Sequence, residues 1–104
     1  MGSKERGPLT EAMFYTLMAF LKSDVCGTEI AEAVSAKTGG RVHLGPGTLY
    51  TILGRFLDEG LITEIAVDGR KRTYRLTDKG REMYRLEVER LRRCLDDAEK
   101  EEEI

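Results

Sequence analysis

The segment Gly45–Ile62 constrains the fold of this chain more than any other stretch. Pro46 suits the first position of a helix, where its missing N–H would have no partner and its fixed φ already matches. Five apolar residues follow at helical spacing: Leu49, Ile52, Leu53, Phe56 and Leu57. Gly60 fits the left-handed position that ends a helix. The segment therefore predicts an amphipathic helix with one face in the core, followed by a strand that begins at Leu61-Ile62.

The opposite face of this helix carries side chains that can bind DNA. Its members are Thr48, Thr51, Gly54, Arg55 and Asp58, with Tyr50 near the boundary. Threonine, tyrosine and arginine can donate hydrogen bonds to phosphates and to base edges. The pattern predicts a recognition helix whose DNA contacts are Thr48, Tyr50, Thr51 and Arg55.

Two further helices precede this segment and a hairpin follows it. Apolar spacing predicts helices over residues 12–21 and 28–38, and residues 41–44 are a candidate for a very short strand. Residues 61–67 and 71–76 are strand candidates, and Asp68-Gly69 between them is a strong signal for a tight hairpin. Ile62 and Ile65 differ in parity, so the faces of the first strand stay unassigned.

Three adjacent cations, Arg70, Lys71 and Arg72, follow the hairpin turn. Neighbouring like charges at a hairpin tip are poorly placed for pairing within the chain and well placed to reach phosphates or a minor groove. Arg75 and Lys79 extend this basic strip. The alternative is a solvated charged turn without a ligand.

The distribution of charge agrees with a nucleic-acid partner better than the net charge of −2 does. Residues 41–81 contain eight basic and five acidic side chains, whereas residues 82–104 contain five basic and nine acidic ones. The positive segment is the one that holds the predicted recognition helix and hairpin. Local potential steers a polyanion more effectively than net charge does.

The first helix has two apolar faces, because Thr16 is the single polar residue between Ala12 and Leu21. One face consists of Phe14, Leu17, Met18 and Leu21, and the other consists of Leu9, Met13 and Phe20. A helix that is apolar all round must be covered on all sides. Since a small core covers one side, we expect a second copy of the chain to cover the other.

The last helix is predicted to run from a Thr77 cap to about Glu102. Its apolar residues are spaced by 4, 3, 4 and 3 positions: Tyr84, Val88, Leu91, Leu95 and Ala98. This stripe needs another helix against it, either from the same domain or from a second chain. We favour a homodimer, with an interface that contains Phe14, Met18, Tyr84, Val88, Leu91 and Leu95.

Composition and motifs exclude most other classes. The 104 residues fit one domain, and 40% hydrophobic with 35% charged residues is typical of a helix-rich globular protein. No apolar run approaches the ~20 residues of a membrane span. Catalytic motifs, metal-ligand spacings and a phosphate-binding loop are missing, so we predict no enzyme, no metal and no cofactor. Cys26 and Cys94 are expected to be reduced, in keeping with a cytoplasmic location.

These predictions combine into a mainly α, α+β fold. Residues 1–8 form a flexible lead, of which Met1-Gly2-Ser3 is typical of a cloning remnant. Residues 9–80 form a winged helix-turn-helix domain for DNA binding. Residues 81–104 form a long C-terminal dimerisation helix.

At this point the chain resembles the PadR-like transcriptional regulators. The matching motifs are Leu9-Thr10-Glu11, Gly27-Thr28-Glu29-Ile30, Gly47-Thr48-Leu49-Tyr50 with Arg55, Glu59-Gly60-Leu61-Ile62, and Gly69–Gly80. The resemblance covers nearly all of the chain from Leu9. Thr28 departs from a frequent Tyr, Thr51 departs from a frequent Pro, and Phe56-Leu57 replaces a usual Leu-Glu, so the operator sequence stays open.

The resemblance implies a homodimeric repressor of the short subgroup with a single C-terminal helix, whose recognition helices and wings bind an inverted-repeat operator in double-stranded DNA. It also allows a small-molecule effector at the dimer interface, although the Trp that one class of relatives uses there is missing. Two alternatives stay open. A winged helix used only for protein contacts should not retard its own upstream DNA in a gel. A dimer whose main activity is ligand binding, through Phe14, Tyr15 and Met18, should respond to a compound panel in thermal shift.

Overall fold

The computed structural model describes residues 7–103, which contain four helices and three strands. In chain order they are α1 (Glu11–Met18), β1 (Val25–Cys26), α2 (Gly27–Thr38), α3 (Pro46–Asp58), β2 (Ile62–Asp68), β3 (Lys71–Leu76) and α4 (Asp78–Glu102). This order confirms the predicted winged helix with a long C-terminal helix. Most of the predicted N-terminal lead, residues 1–6 with the suspected cloning remnant, lies outside the described residues.

Helix α3 forms as its sequence pattern predicts. It begins at Pro46 after Gly45, and its buried residues are Leu49, Ile52, Leu53 and Phe56. The chain leaves the helix through Gly60, which has a φ of +76°, and the Leu61 N–H donates to the Phe56 carbonyl. Leu57 is an exception to the prediction, since it is 38% exposed and contributes little to the core.

Helix α1 ends at Met18, three residues before the predicted end. Members of both of its apolar faces are buried within one protomer: Leu9, Met13, Leu17 and Phe20. The helices α2 and α4 of the same chain therefore cover part of the face that was expected to need a partner, and a second copy over the rest stays a prediction. Phe14, Met18 and Leu21 stay half-buried.

The sheet is antiparallel with the strand order β1-β3-β2. Asp68 pairs with Lys71 across a two-residue loop. Gly69 has a φ of +64° there, as the first position of a tight hairpin loop often requires. The register shifts between Glu64 and Ala66, so Ile65 lies at a bulge. Ile62 is buried and Ile65 is 40% exposed, so the two isoleucines do not share a buried face.

The predicted short strand at residues 41–44 is wrong. These residues form a bend and an irregular segment in which Val42 and Leu44 are buried in the core. The third strand is β1, between the two predicted helices where no strand was predicted, and there Val25 pairs with Tyr74 and Cys26 with Thr73. Two residues form a strand there because β3 offers them a free edge.

The start of α4 is fixed against the end of α3. The Thr77 hydroxyl accepts from the Gly80 N–H at 3.0 Å, and the Thr77 N–H donates to the Leu61 carbonyl at 3.0 Å. Gly80 is so close to Leu61 that a Cβ would lie 2.1 Å from its carbonyl oxygen. Further along, Tyr84 stacks on Phe14 of α1 with ring centroids 5.3 Å apart.

Within the part of the chain that the structure describes, no helix is both long and apolar enough to cross a bilayer. Cys26 and Cys94 are free thiols, the first buried and the second exposed. Cys26 precedes α2, and its N–H donates to the Glu29 carboxylate at 2.8 Å.

Candidate nucleic-acid interface

Helix α3 presents its predicted DNA contacts along two different edges. Thr48, Thr51 and Arg55 line one shallow groove, which lies against the beginning of α1. Tyr50 lines a separate cleft against the β2–β3 hairpin, and 63% of its surface is exposed. The structure therefore brings three of the four residues together and places Tyr50 beside the wing.

Arg55 has a partner within its own helix. Its Nε donates to the Glu59 carboxylate at 3.0 Å, one helical turn further on, and both side chains reach solvent. An exposed pair of this kind contributes about 0–1 kcal/mol. A phosphate or a guanine edge can therefore displace the carboxylate at little cost.

The wing cations are exposed, but they are not equivalent. The Arg72 guanidinium donates to the Glu64 carboxylate of the neighbouring strand at 2.9 Å. The prediction that these cations are poorly placed for pairing within the chain is therefore wrong for Arg72, since strand pairing brings Glu64 beside it. For Arg70 and Lys71, the structure of residues 7–103 shows no ion pair with a carboxylate.

Contrary to the prediction, the basic strip does not continue along β3. Arg75 forms a bidentate pair with Asp24, with distances of 3.1 and 2.9 Å. The hydrogen bonds from Arg75 hold the pKa of the Asp24 carboxyl below its usual value. Lys79 lies at the other end of the hairpin, near Gly60. Along the β2–β3 hairpin, which the structure describes in full, the cations without an ion pair are therefore those at the tip of the wing, Arg70 and Lys71.

The cleft beside Tyr50 lies between the start of α2, helix α3 and the β2–β3 hairpin, and its volume is about 540 Å³. The cations Arg70, Lys71 and Arg72 form one wall, and Gly27 and Thr28, at the beginning of α2, form another. Tyr74 lies deeper and is 5% exposed. Burial raises the pKa of its phenol, so the hydroxyl keeps its proton at neutral pH. Tyr74 and the start of α2 were not predicted from the sequence, since only the fold brings them to the wing.

The predicted dimer contacts lie on the surface shared by α1 and α4. Phe14, Met18, Tyr84 and Val88 are half-buried, and Phe14 and Tyr84 partly cover each other. Leu91 and Leu95 are 39% and 59% exposed. From Leu91 to Glu103 every residue of the chain is exposed.

An amphipathic helix that follows a helix-turn, beside a hairpin with a cationic tip, defines a winged-helix DNA-binding fold. A family profile described as the transcriptional regulator PadR-like family matches residues 16–86. The chain belongs to the PadR-like family of transcriptional regulators, as the resemblance in sequence implies. Members of this family are transcriptional regulators.

Solved structures of transcriptional regulators share this fold. A transcriptional regulator from Clostridium thermocellum is 24% identical, with a TM-score of 0.77 and coverage of 86% of this chain and 87% of its own. A PadR family regulator from Clostridium difficile is 20% identical, with a TM-score of 0.75 and coverage of 88% and 97%.

Bacillus subtilis PadR, solved in complex with operator DNA, is 25% identical, with a TM-score of 0.62. The match covers 70% of this chain and 44% of that protein. No protein with a curated description matches this chain.

Proposed function

We propose that this chain is a cytoplasmic, sequence-specific DNA-binding repressor that acts as a homodimer and is released by a small-molecule or stress signal. One observation carries the proposal: Tyr50 of α3 and the three wing cations line one cleft. The polar helix and the positive hairpin therefore lie side by side and can meet one duplex together. The likeness to Bacillus subtilis PadR, which was solved with operator DNA, supports the same use of the fold.

The two edges of α3 suggest a division of labour. Thr48, Thr51 and Arg55 are proposed to enter the major groove, where arginine can bind guanine through two hydrogen bonds. Arg70, Lys71 and Arg72, with Tyr50, are proposed to hold the backbone or the minor groove. Arg55 and Arg72 must exchange a carboxylate for a DNA acceptor, whereas Arg70 and Lys71 bind without that exchange.

A dimer would present this interface twice. The exposed leucines of α4 continue the apolar stripe beyond the domain, and a second copy of the helix would cover them. Two-fold symmetry then relates two recognition helices and two wings, which suits an inverted-repeat operator. For a small-molecule effector, the proposed place is the groove of about 290 Å³ between α1 and α4, which Phe14 and Tyr15 help to line.

Alanine at Arg70, Lys71 and Arg72 tests the DNA interface. We expect weaker binding to all sequences and a flatter dependence of log affinity on log salt, by about 0.9 for each phosphate that the protein no longer neutralises. Fluorescence anisotropy with the upstream DNA of the gene, at several salt concentrations, measures both quantities.

A matched control removes the same charge elsewhere. Lys22, Lys37 and Lys100 are exposed and do not line the cleft or the α3 groove. Their triple alanine variant should keep most of the affinity and the salt slope. An unchanged slope in the wing variant, or equal losses in both variants, would contradict the role of the wing.

A further inference from the structure

The cleft between the wing, Tyr50 and the start of α2 has an outer rim and a floor, which differ in their exposure to solvent. The rim side chains, Tyr50, Arg70, Lys71 and Arg72, are exposed. The floor contains Tyr74 and Cys26, each 5% exposed. A duplex is a wide, stiff ligand that can contact the rim, whereas a small molecule can also reach the floor.

The floor offers hydrogen-bond donors that the protein does not use. The Tyr74 hydroxyl has no hydrogen-bond partner among residues 7–103, yet it is not sealed away from solvent. The side chain lines the cleft, so a ligand bound there can pair with the hydroxyl. The first N–H groups of α2, at Gly27 and Thr28, lack partners within the helix and favour an anion.

The charge of the lining also favours an anion. Three cations and one carboxylate, that of Glu29, face the cleft. Glu29 is held by the Cys26 N–H, which lowers the pKa of the carboxyl, so it stays ionised. Arg72 is paired with Glu64, which does not itself line the cleft. With both carboxylates counted, an excess of one positive charge remains, and a phosphate monoester has enough acceptor oxygens to bind several donors at once.

We propose that this cleft binds a small phosphate monoester with a planar ring, and that this ligand competes with DNA for the wing. The phosphate would accept from Lys71, the Tyr74 hydroxyl and the start of α2, while the ring stacks on the exposed face of Tyr50. The volume of about 540 Å³ lies within the range of small-molecule sites. The competition rests on the proposed function, since it requires that the wing binds DNA. Binding of this ligand would then release the protein from DNA directly.

Calorimetry on the full chain without DNA tests the site itself, with AMP, adenosine and inorganic phosphate as probes at constant ionic strength. We expect AMP to saturate one site per chain, phosphate to bind more weakly, and adenosine to bind least. Tyr74→Phe removes one hydroxyl and keeps the ring, so AMP should bind about tenfold more weakly. Thr63→Val also removes one hydroxyl, at an exposed position of β2 that does not line the cleft, so it is the control and should change nothing.

Competition in DNA anisotropy tests the consequence. AMP should raise the apparent dissociation constant for DNA, and Tyr74→Phe should require about tenfold more AMP while its own DNA affinity stays within about twofold. Failure of both AMP and phosphate to saturate would overturn the proposal, and so would AMP binding that Tyr74→Phe leaves unchanged.

Two results separate this proposal from the proposed function. If Tyr74→Phe weakens DNA binding and leaves AMP binding unchanged, the floor holds a DNA phosphate and the small-ligand site is wrong. If AMP binds through Tyr74 but the protein binds no DNA, the site stands and the proposed function fails.

Discussion

The two halves of α4 carry the same apolar stripe in very different surroundings. In the first half, the stripe residues Tyr84 and Val88 are half-buried and their neighbours Gly80 and Glu87 are buried, because α1 and the hairpin lie against this part of the helix. In the second half, Leu91 and Leu95 continue the stripe and are exposed. Apolar spacing therefore tells us that a face will be covered, whereas the fold decides whether the same chain or another one covers it.

The largest expected effect comes from replacing the exposed leucines in the second half of α4. With Leu91 and Leu95 both replaced by Glu, four leucines leave a dimer interface. At about 1.5 kcal/mol each, the dimerisation free energy falls by about 6 kcal/mol. The dimer should dissociate at micromolar concentration, and light scattering coupled to size exclusion would measure it.

Leu86→Glu is the matched control for this change. Leu86 lies on the same helix, is 47% exposed, and does not belong to the stripe. The Leu86→Glu variant should keep the mass of the wild type. If the two variants have the same mass in solution, the stripe is not the dimer interface.

The next effect concerns the first half, where Gly80→Ala should destabilise the protomer by about 3 kcal/mol or more. A Cβ at Gly80 would meet the Leu61 carbonyl oxygen at 2.1 Å and Leu76 at 2.6 Å, and such overpacking forces backbone shifts. Urea unfolding followed by circular dichroism measures the free energy at fixed protein concentration.

Gly54, a second glycine within a helix, is the comparison for Gly80. Gly54 of α3 is exposed, and a Cβ there would meet nothing within 4 Å. Gly54→Ala should stabilise the protein by about 1 kcal/mol, since alanine is the better helix former. A loss of stability in both variants, or in neither, would contradict the tight junction at Gly80.

The smallest effect comes from Glu87, the buried carboxylate of the first half. Hydrogen bonds from Arg90, at 3.1 and 2.5 Å, lower the pKa of Glu87 despite its burial. A lowered folded-state pKa stabilises the fold above the unfolded pKa and ceases to do so as the pH falls through the folded value. Glu87→Gln should therefore cost about 1 kcal/mol at pH 7 and much less near pH 3. A cost that is independent of pH, measured by urea unfolding, would contradict this.

The sequence predicted the local elements of this fold well. Helix α3 has a start signal, a clear apolar face and a glycine stop. The hairpin was also predicted, although its loop is Gly69-Arg70, one residue further along than the Asp68-Gly69 signal. The short strand β1 could not be predicted in this way. Two residues carry no periodic signal, and β1 exists only because Val25 and Cys26 meet the free edge of β3.

The sequence indicated which residue types form the candidate interface, but it did not show which of the arginines form ion pairs within the chain. Arg75 looked like part of a basic strip, but its carboxylate partner Asp24 is 51 positions away in sequence. Glu64 and Arg72 are near neighbours only in the register of the hairpin. The cleft needs α2, α3 and β3 together, so no single motif could have shown that Tyr74 lies at its floor.

Sedimentation equilibrium of the purified chain, alone and with a duplex from the DNA upstream of its gene, is the decisive test of a two-chain regulator on DNA. We expect a free species of twice the 11.7 kDa chain mass and a complex with two chains on one duplex. A species of 11.7 kDa at working concentration, with a mass that no duplex changes, would contradict the proposed dimer and its DNA binding together.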